Sequence, residues 1–357
     1  MSDSSSLIAD TTRRIFRELG RELGRELGDP KSQRNDSRRQ ALWRALDDAG
    51  LTRTWVPERL GGADASLADG FDVLRIAGEF AVDVPLAEQL LAGWLLSRAN
   101  LSLPEGVLTI ATVDRRDRIE LGSHDELTGI ARAVPFGRVA TRCALLAHRG
   151  EQSFTAVINR ADCALDERDN IAHESRDRLS LRAVKPLSLT PSSTSFDELI
   201  LMGAAVRAVQ MAGALQSVLD LSATYANERV AFEKPIGKFQ AVQHSLARLA
   251  GETAAAVAAA SSAADAIDSS PTFDEAIFLE VASAKIRVGE AVTTGTAIAH
   301  QVHGAIGFTQ EHILHRYTQR LWAWRDDFGS ESDWAVRLGK LVSSNGADAL
   351  WPMLAAR

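Results

Sequence analysis

The spacing of apolar positions changes twice along this chain. From Ser6 to about Leu103 they recur at helical intervals, broken by the turn PERLGG at Pro57 to Gly62 and by Pro85. Between Leu108 and about Leu201 they form short alternating or continuous runs (VLTIATV, RCALLAH, SFTAVI) separated by charged or glycine-bearing turns, the pattern of strands. Helical spacing then resumes near Met202 and runs through Phe232. Further helical stretches follow from Ala241 to Ile267, from Thr272 to His303, and from about Leu314 onward. Their alanine-rich faces allow close antiparallel packing, which predicts a four-helix bundle.

The expectation is a mainly α chain with a small β domain. Residues 1–104 are read as an N-terminal helical domain, 105–198 as a middle β-barrel or sheet domain, and 199–357 as a C-terminal four-helix bundle domain. At the second boundary, SFDEL from Ser195 to Leu199 fits either a last strand or a helix-capping box built from Ser195 and Glu198; the strand is preferred. In the N-terminal unit, RELGRELGRELG from Arg17 to Gly28 lines up Leu19, Leu23 and Leu27, which predicts a surface helix docked by its leucines.

Composition narrows the function. A formal net charge of −7 argues against a nucleic-acid or anionic-membrane binder, so an anionic ligand needs a local basic patch. Cys143 and Cys163 give neither a disulfide framework nor a zinc spacing, which fits a reducing compartment. With no secretory leader pattern and no run of 18 apolar residues, the expectation is a cytoplasmic chain without membrane insertion.

Two stretches carry chemistry. In NERVAFEKPIGKFQ, Asn227 to Gln240, Arg229 and Phe232 follow the end of a long helix, and Pro235 and Gly237 are read as the turn that aims Lys238 and Gln240 back. Such a corner suits a diphosphate gripped by a guanidinium and a flat heterocycle packed on a ring; it also reads as an ordinary helix-to-helix loop. In HQVHGAIGFTQEHILHR, His300 to Arg316, Gly304 and Gly307 interrupt a helix beside Gln301, as where a backbone or ligand comes close. The histidines there lack the acidic or cysteine partners of a metal site, and none is expected. No phosphate-binding loop, dinucleotide fingerprint or hydrolase elbow is present.

At YANERVAFEKPIGKFQAVQHSLA and QVHGAIGFTQEHILHRY, and more loosely at VPERLGG, the sequence resembles the acyl-CoA dehydrogenase family. The resemblance implies the same order of helical, β and four-helix domains and association as dimers or dimers of dimers. It implies removal of a C2 proton by a carboxylate base and of a C3 hydride to FAD, from an acyl-CoA substrate, with a flavoprotein as electron acceptor. Arg229, Phe232 and Gln240 match the positions that hold the FAD diphosphate and adenine side. Gln301 and Gly304 match the helix break that grips the FAD of a neighbouring subunit, with Ala305 where the family usually has a second glycine.

The departures concern catalysis. The family's two positions for its base fall here on Phe328, beside Asp326 and Asp327, and on Gly203, followed by Ala204 where arginine is common. The family's flavin-facing segments of the β domain have no counterpart between Leu108 and Ser195, although LTGIARAVPFGRVA resembles its central strands. The leading expectation is therefore a catalytically incomplete subunit in a heteromeric enzyme, a dimer or α2β2 with another acyl-CoA dehydrogenase chain. The alternative is a homo-oligomer using Asp327 as base, and a flavin-free structural protein is least favoured.

Overall fold

The computed structural model describes residues 3–20, 33–270 and 272–355. By internal packing these fall into two compact units. One comprises the described residues up to Val206 apart from Arg75–Ala81; the other comprises that excepted segment and everything from Arg207 on. Most of the RELG repeat lies outside the described residues; its first copy, Arg17–Gly20, continues a π-helical turn from Phe16.

The N-terminal apolar periodicity becomes helices α1 (Asp3–Ile15), α2 (Gln33–Asp48), α3 (Leu67–Phe80) and α4 (Leu86–Arg98). The turn between α2 and α3 is set by its glycines. Gly61 sits at φ +92°, and a Cβ on Gly62 would fall 1.7 Å from the Val56 carbonyl oxygen, which in turn accepts from the Asp64 amide at 3.0 Å. Only a residue without a side chain closes this loop. Gly62→Ala is therefore expected to destabilise the fold by at least about 2 kcal/mol, as forced overpacking against backbone does; a urea midpoint unchanged from wild type would contradict this.

The β region has eight strands: β1 (Leu108–Ile110), β2 (Arg118–Leu121), β3 (Leu127–Pro135), β4 (Arg142–Arg149), β5 (Gln152–Asn159), β6 (Ala164–Asp166), β7 (Arg176–Val184) and β8 (Ser188–Pro191). Their order is β6-β7-β3-β2-β4-β5-β8, with β1 parallel to β4. Alternate residues such as Ile119, Leu145, Ala156 and Leu179 fill one core, together with both cysteines. Burial pushes the Cys143 thiol far up and the Cys163 thiol to about 11, so both stay protonated.

SFDEL is a correction. It is not a last strand, because the Ser195 hydroxyl accepts from the Glu198 amide at 3.1 Å while the Glu198 carboxylate accepts from the Ser195 amide at 2.6 Å. This reciprocal capping starts α5 (Phe196–Glu228) directly, earlier than Met202. From Leu199 to Leu215 α5 is buried on every side and almost wholly apolar; beyond that Gln216, Asp220 and Thr224 are exposed on one face. It is the single described helix long and apolar enough to cross a membrane by composition, and its most apolar stretch lies almost wholly inside the protein. Its glycines permit backbone contact: a Cβ on Gly213 would lie 2.0 Å from the Arg75 carbonyl oxygen, and one on Gly78 would lie 2.1 Å from that of Gln210.

After a short hairpin come α6 (Gln240–Ser269) and α7 (Glu275–His303), the latter capped by Asp274 accepting from the Ile277 amide. The stretch from Leu314 is broken into α8 (Leu314–Asp326), α9 (Glu331–Asn345) and α10 (Ala347–Ala355). The first break is chemical: Phe328 and Gly329 take φ +57° and +102°, and Ser330 with Asp333 forms a capping box that starts α9.

Candidate functional site

The corner after α5 differs from its expected form in one respect. The helix ends at Glu228, before Arg229, and the reversal is a hairpin rather than a Pro-Gly turn. Strands β9 (Val230–Ala231) and β10 (Lys234–Pro235) pair through Ala231 with Lys234 and Val230 with Pro235, and Phe232 and Glu233 make the turn at φ +52° and +66°. A two-residue hairpin demands positive φ at both positions, normally met by Asn or Gly. Gly237 has ordinary φ and serves close approach, its hydrogen face 3.1 Å from the Ala226 carbonyl oxygen were a Cβ present.

A bulky residue held left-handed costs about 1–3 kcal/mol and marks sites where position matters more than comfort. Here the strain presents the Phe232 ring at 89% exposure. Phe239 backs it edge-on at 6.1 Å, and the Lys234 ammonium lies 4.5 Å above the Phe239 ring. Arg229, Lys238 and Gln240 are exposed beside it. Among the described residues, no side-chain hydrogen bond or ion pair engages Arg229 or Gln240.

The second stretch meets this corner. Tyr225, whose carbonyl caps the Arg229 amide at 2.8 Å, stacks on His303 at 4.5 Å, and His303 contacts His312 at 4.6 Å. The histidines are thus internal joinery between the ends of α5 and α7. Burial holds His303 down to about 4 and also lowers His300 and His312, so they stay neutral at physiological pH. Beyond His303 the chain breaks at Gly304 (φ 66°, ψ −147°), a conformation essentially confined to glycine, with nothing near where a Cβ would project. Gly304 is therefore a backbone requirement, whereas Gly307 is a packing one, its face lying against His303 and Leu314. Gln301 and Gly304 are exposed, and the Gln301 amide has no partner among the described residues.

Arg229, Phe232 and Gln240 share the hairpin corner after α5, which the Tyr225–His303 stack joins to the end of α7, whereas Gln301 and Gly304 line a concavity with Thr296, His300, Phe308, Trp322 and Arg325. Asp327 binds Arg207, which lies 22 positions before Arg229, about 33 Å along a helix at 1.5 Å per residue. The Asp327 carboxylate accepts from Arg207 Nε at 2.9 Å, and this guanidinium is 3% exposed, donates to Gln210 at 2.6 Å and lies over the rings of Trp324 and Phe328. Asp326 points to solvent at 64% side-chain exposure. Gly203 and Ala204 are buried and apolar.

Lys285 was not anticipated from sequence. Its fully buried ammonium donates to the Arg325 carbonyl and, at 2.8 Å, to that of Gly329, bolting both ends of the loop. Trp334 adds an indole N–H to the Phe328 carbonyl at 3.1 Å. Trp322 stacks on His300 and donates to Thr296, whereas Trp324 is buried. The available signal was a charge inside each apolar helical run, Arg207 alone in AAVRAVQ and Lys285 beside Arg287 in VASAKIRV.

Burial lowers Lys285 from 10.5 to about 8, against the pull of Asp327 and Asp326 and with the push of Arg207. Between those two values the unfolded chain holds the proton that the folded chain has released, so stability rises with pH across that window, and the gain is lost as pH falls from 10.5 to about 8. The full effect is about 3 kcal/mol at 1.36 kcal/mol per unit. Wild type should gain that much relative to Lys285→Met between pH 7.5 and 10.5 in urea unfolding; parallel pH profiles would contradict the assignment.

Comparison with known proteins gives a consistent picture. Residues 195–325 match the family described as acyl-CoA dehydrogenase, C-terminal domain. The chain is 30% identical over 289 residues to acyl-CoA dehydrogenase IpdE2 of Mycobacterium tuberculosis, covering 79% of this chain and 80% of that one. It superposes on a chain of the ChsE4-ChsE5 complex from Mycobacterium tuberculosis with a TM-score of 0.84 at 22% identity, covering 97% and 99% of the two chains. The Tcur3481-Tcur3483 steroid ACAD G363A variant gives 0.82 at 22% identity, covering 96% and 98%. On fold, on the two sequence stretches and on identity across most of both chains, this protein belongs to the acyl-CoA dehydrogenase family.

Proposed function

We propose that this chain is the catalytically incomplete partner in a heteromeric, FAD-dependent acyl-CoA dehydrogenase. Its role is to complete, with Arg229, Phe232, Gln240, Gln301 and Gly304, a cofactor site whose flavin ring and base belong to another chain. The observation that carries this reading is the loop at Phe328. A ring fills the position of the family's base, and the nearest carboxylate is held by a buried guanidinium on a loop bolted by Lys285. A carboxylate so paired is a poor proton acceptor, because protonation costs the ion pair and strands Arg207.

The cofactor corner fits the group it would hold. At the hairpin the Arg229 guanidinium and the Gln240 amide are exposed and without internal partners among the described residues beside the exposed Phe232 ring, and the exposed Gln301 amide near the end of α7 adds a further donor, the set that a diphosphate and a flat heterocycle require. When bound, FAD would supply the hydride acceptor; Arg229 and Gln301 would hold it, and Phe232 would pack on its diphosphate and adenine side. The likeness to the ChsE4-ChsE5 complex and to a steroid ACAD supports both the heteromer and a bulky acyl-CoA as substrate, and the likeness to an electron transferring flavoprotein of Acidaminococcus fermentans supports a flavoprotein as electron acceptor.

Co-expression with a family member that carries the base glutamate tests the assembly. The expected result is a stable mixed oligomer by size exclusion that neither chain forms alone. A homo-oligomer that turns over acyl-CoA unaided would instead favour Asp327 as base.

A further inference from the structure

A second concave site lies within the N-terminal and β unit and shares no residue with the Arg229 corner. It is a cavity of about 560 Å³, inside the range of small-molecule pockets. Its roof is one face of α2: Asp36, Arg39, Gln40, Trp43 and Arg44 fall at helical spacing, while Leu42 and Leu46 on the other face are fully buried. Pro85, Val107 and Phe136 give it an apolar floor.

The walls are held rigidly. Phe136 and His173 both line the cavity in the left-handed region, at φ +52° and +59°. The turn that follows Phe136 is pinned because the fully buried Asp177 carboxylate accepts from the Arg138 amide at 2.7 Å and from its guanidinium. Strain kept at two wall positions by a satisfied network is what a preformed ligand pocket shows.

Charge selects the ligand. Of the lining carboxylates, Asp36 and Asp83 are paired with Arg39, and Glu167 and Asp169 with Arg138. Arg44 is the lining charge left over: among the described residues no ion pair or side-chain hydrogen bond engages it. A ligand therefore meets apolar and aromatic walls with one uncommitted guanidinium at the edge.

We propose that this cavity binds a compact apolar monocarboxylate, its carboxylate on Arg44 and its hydrocarbon body between Trp43 and Phe136. A guanidinium–carboxylate contact and an aromatic wall each account for a large share of affinity in such sites. The test is isothermal titration of the full chain, in the assembly in which it purifies, with cholate and with decanoate, and with the uncharged methyl esters as controls.

The expected result is saturable binding of at least one acid, weakened about 10-fold or more by Arg44→Ala and by Trp43→Ala, and about 10-fold for the ester. Arg44 is exposed, so its replacement leaves the fold intact; circular dichroism checks this for both variants. Cholate without decanoate selects a fused ring, and the reverse selects a chain. Absence of saturable binding by either acid up to millimolar concentration, or binding that both variants leave unchanged, would overturn the proposal.

Discussion

Arg229→Glu is expected to strip the flavin from the mixed oligomer, weakening FAD about 100-fold or more while leaving the chain folded. The guanidinium is exposed and makes no internal ion pair among the described residues, so the fold does not depend on it. A charge-assisted hydrogen bond to phosphate contributes about 1.5–3 kcal/mol, and reversing the sign adds repulsion of a diphosphate to that loss. Fluorescence titration of the apo-oligomer with FAD reads the affinity, and an unchanged melting temperature without cofactor separates lost binding from lost structure. Affinity within about threefold of wild type would remove Arg229 from the site, since one charge-assisted contact is worth more than that.

The second large effect is expected at Asp327, and on stability rather than turnover. Asp327→Asn keeps the shape of the side chain but leaves Arg207, 3% exposed, facing a neutral amide across a gap that held a 2.9 Å ion pair. Breaking a buried pair from one side costs about 3–5 kcal/mol, and the 22% exposure of the carboxylate reduces this to about 2–3 kcal/mol. Turnover per folded mixed oligomer should stay within about twofold, because a positioned general base is worth about 100-fold or more when it acts. A loss of that size with unchanged stability would make Asp327 the base after all.

How much of this was visible in the sequence depends on whether the cause was local. The change from helical to alternating periodicity and back placed the helical and β segments, because a buried helix face and a buried strand face impose different repeats. The break at Gly304 was also legible, since its conformation excludes other residues. SFDEL was misread because a capping box and a strand end share polar residues before an apolar run, and only the reciprocal Ser195–Glu198 bonds distinguish them. The hairpin at Phe232 and Glu233 was hidden for the opposite reason: it uses residues that turn statistics disfavour, and the strain shows only in the backbone. The bolts at Arg207 and Lys285 join residues 120 and 40 or more positions apart, which no local pattern reports. The ring at the family's base position was countable along the chain, but the pairing of its neighbour Asp327 with Arg207 required the folded chain.

The most direct test of the central claim is the visible absorbance spectrum of the chain purified alone and again after co-expression with a base-carrying family member. The expected result is a colourless protein alone and a yellow mixed oligomer, bleached by an acyl-CoA. A chain that is yellow by itself and bleached by an acyl-CoA without a partner would contradict it.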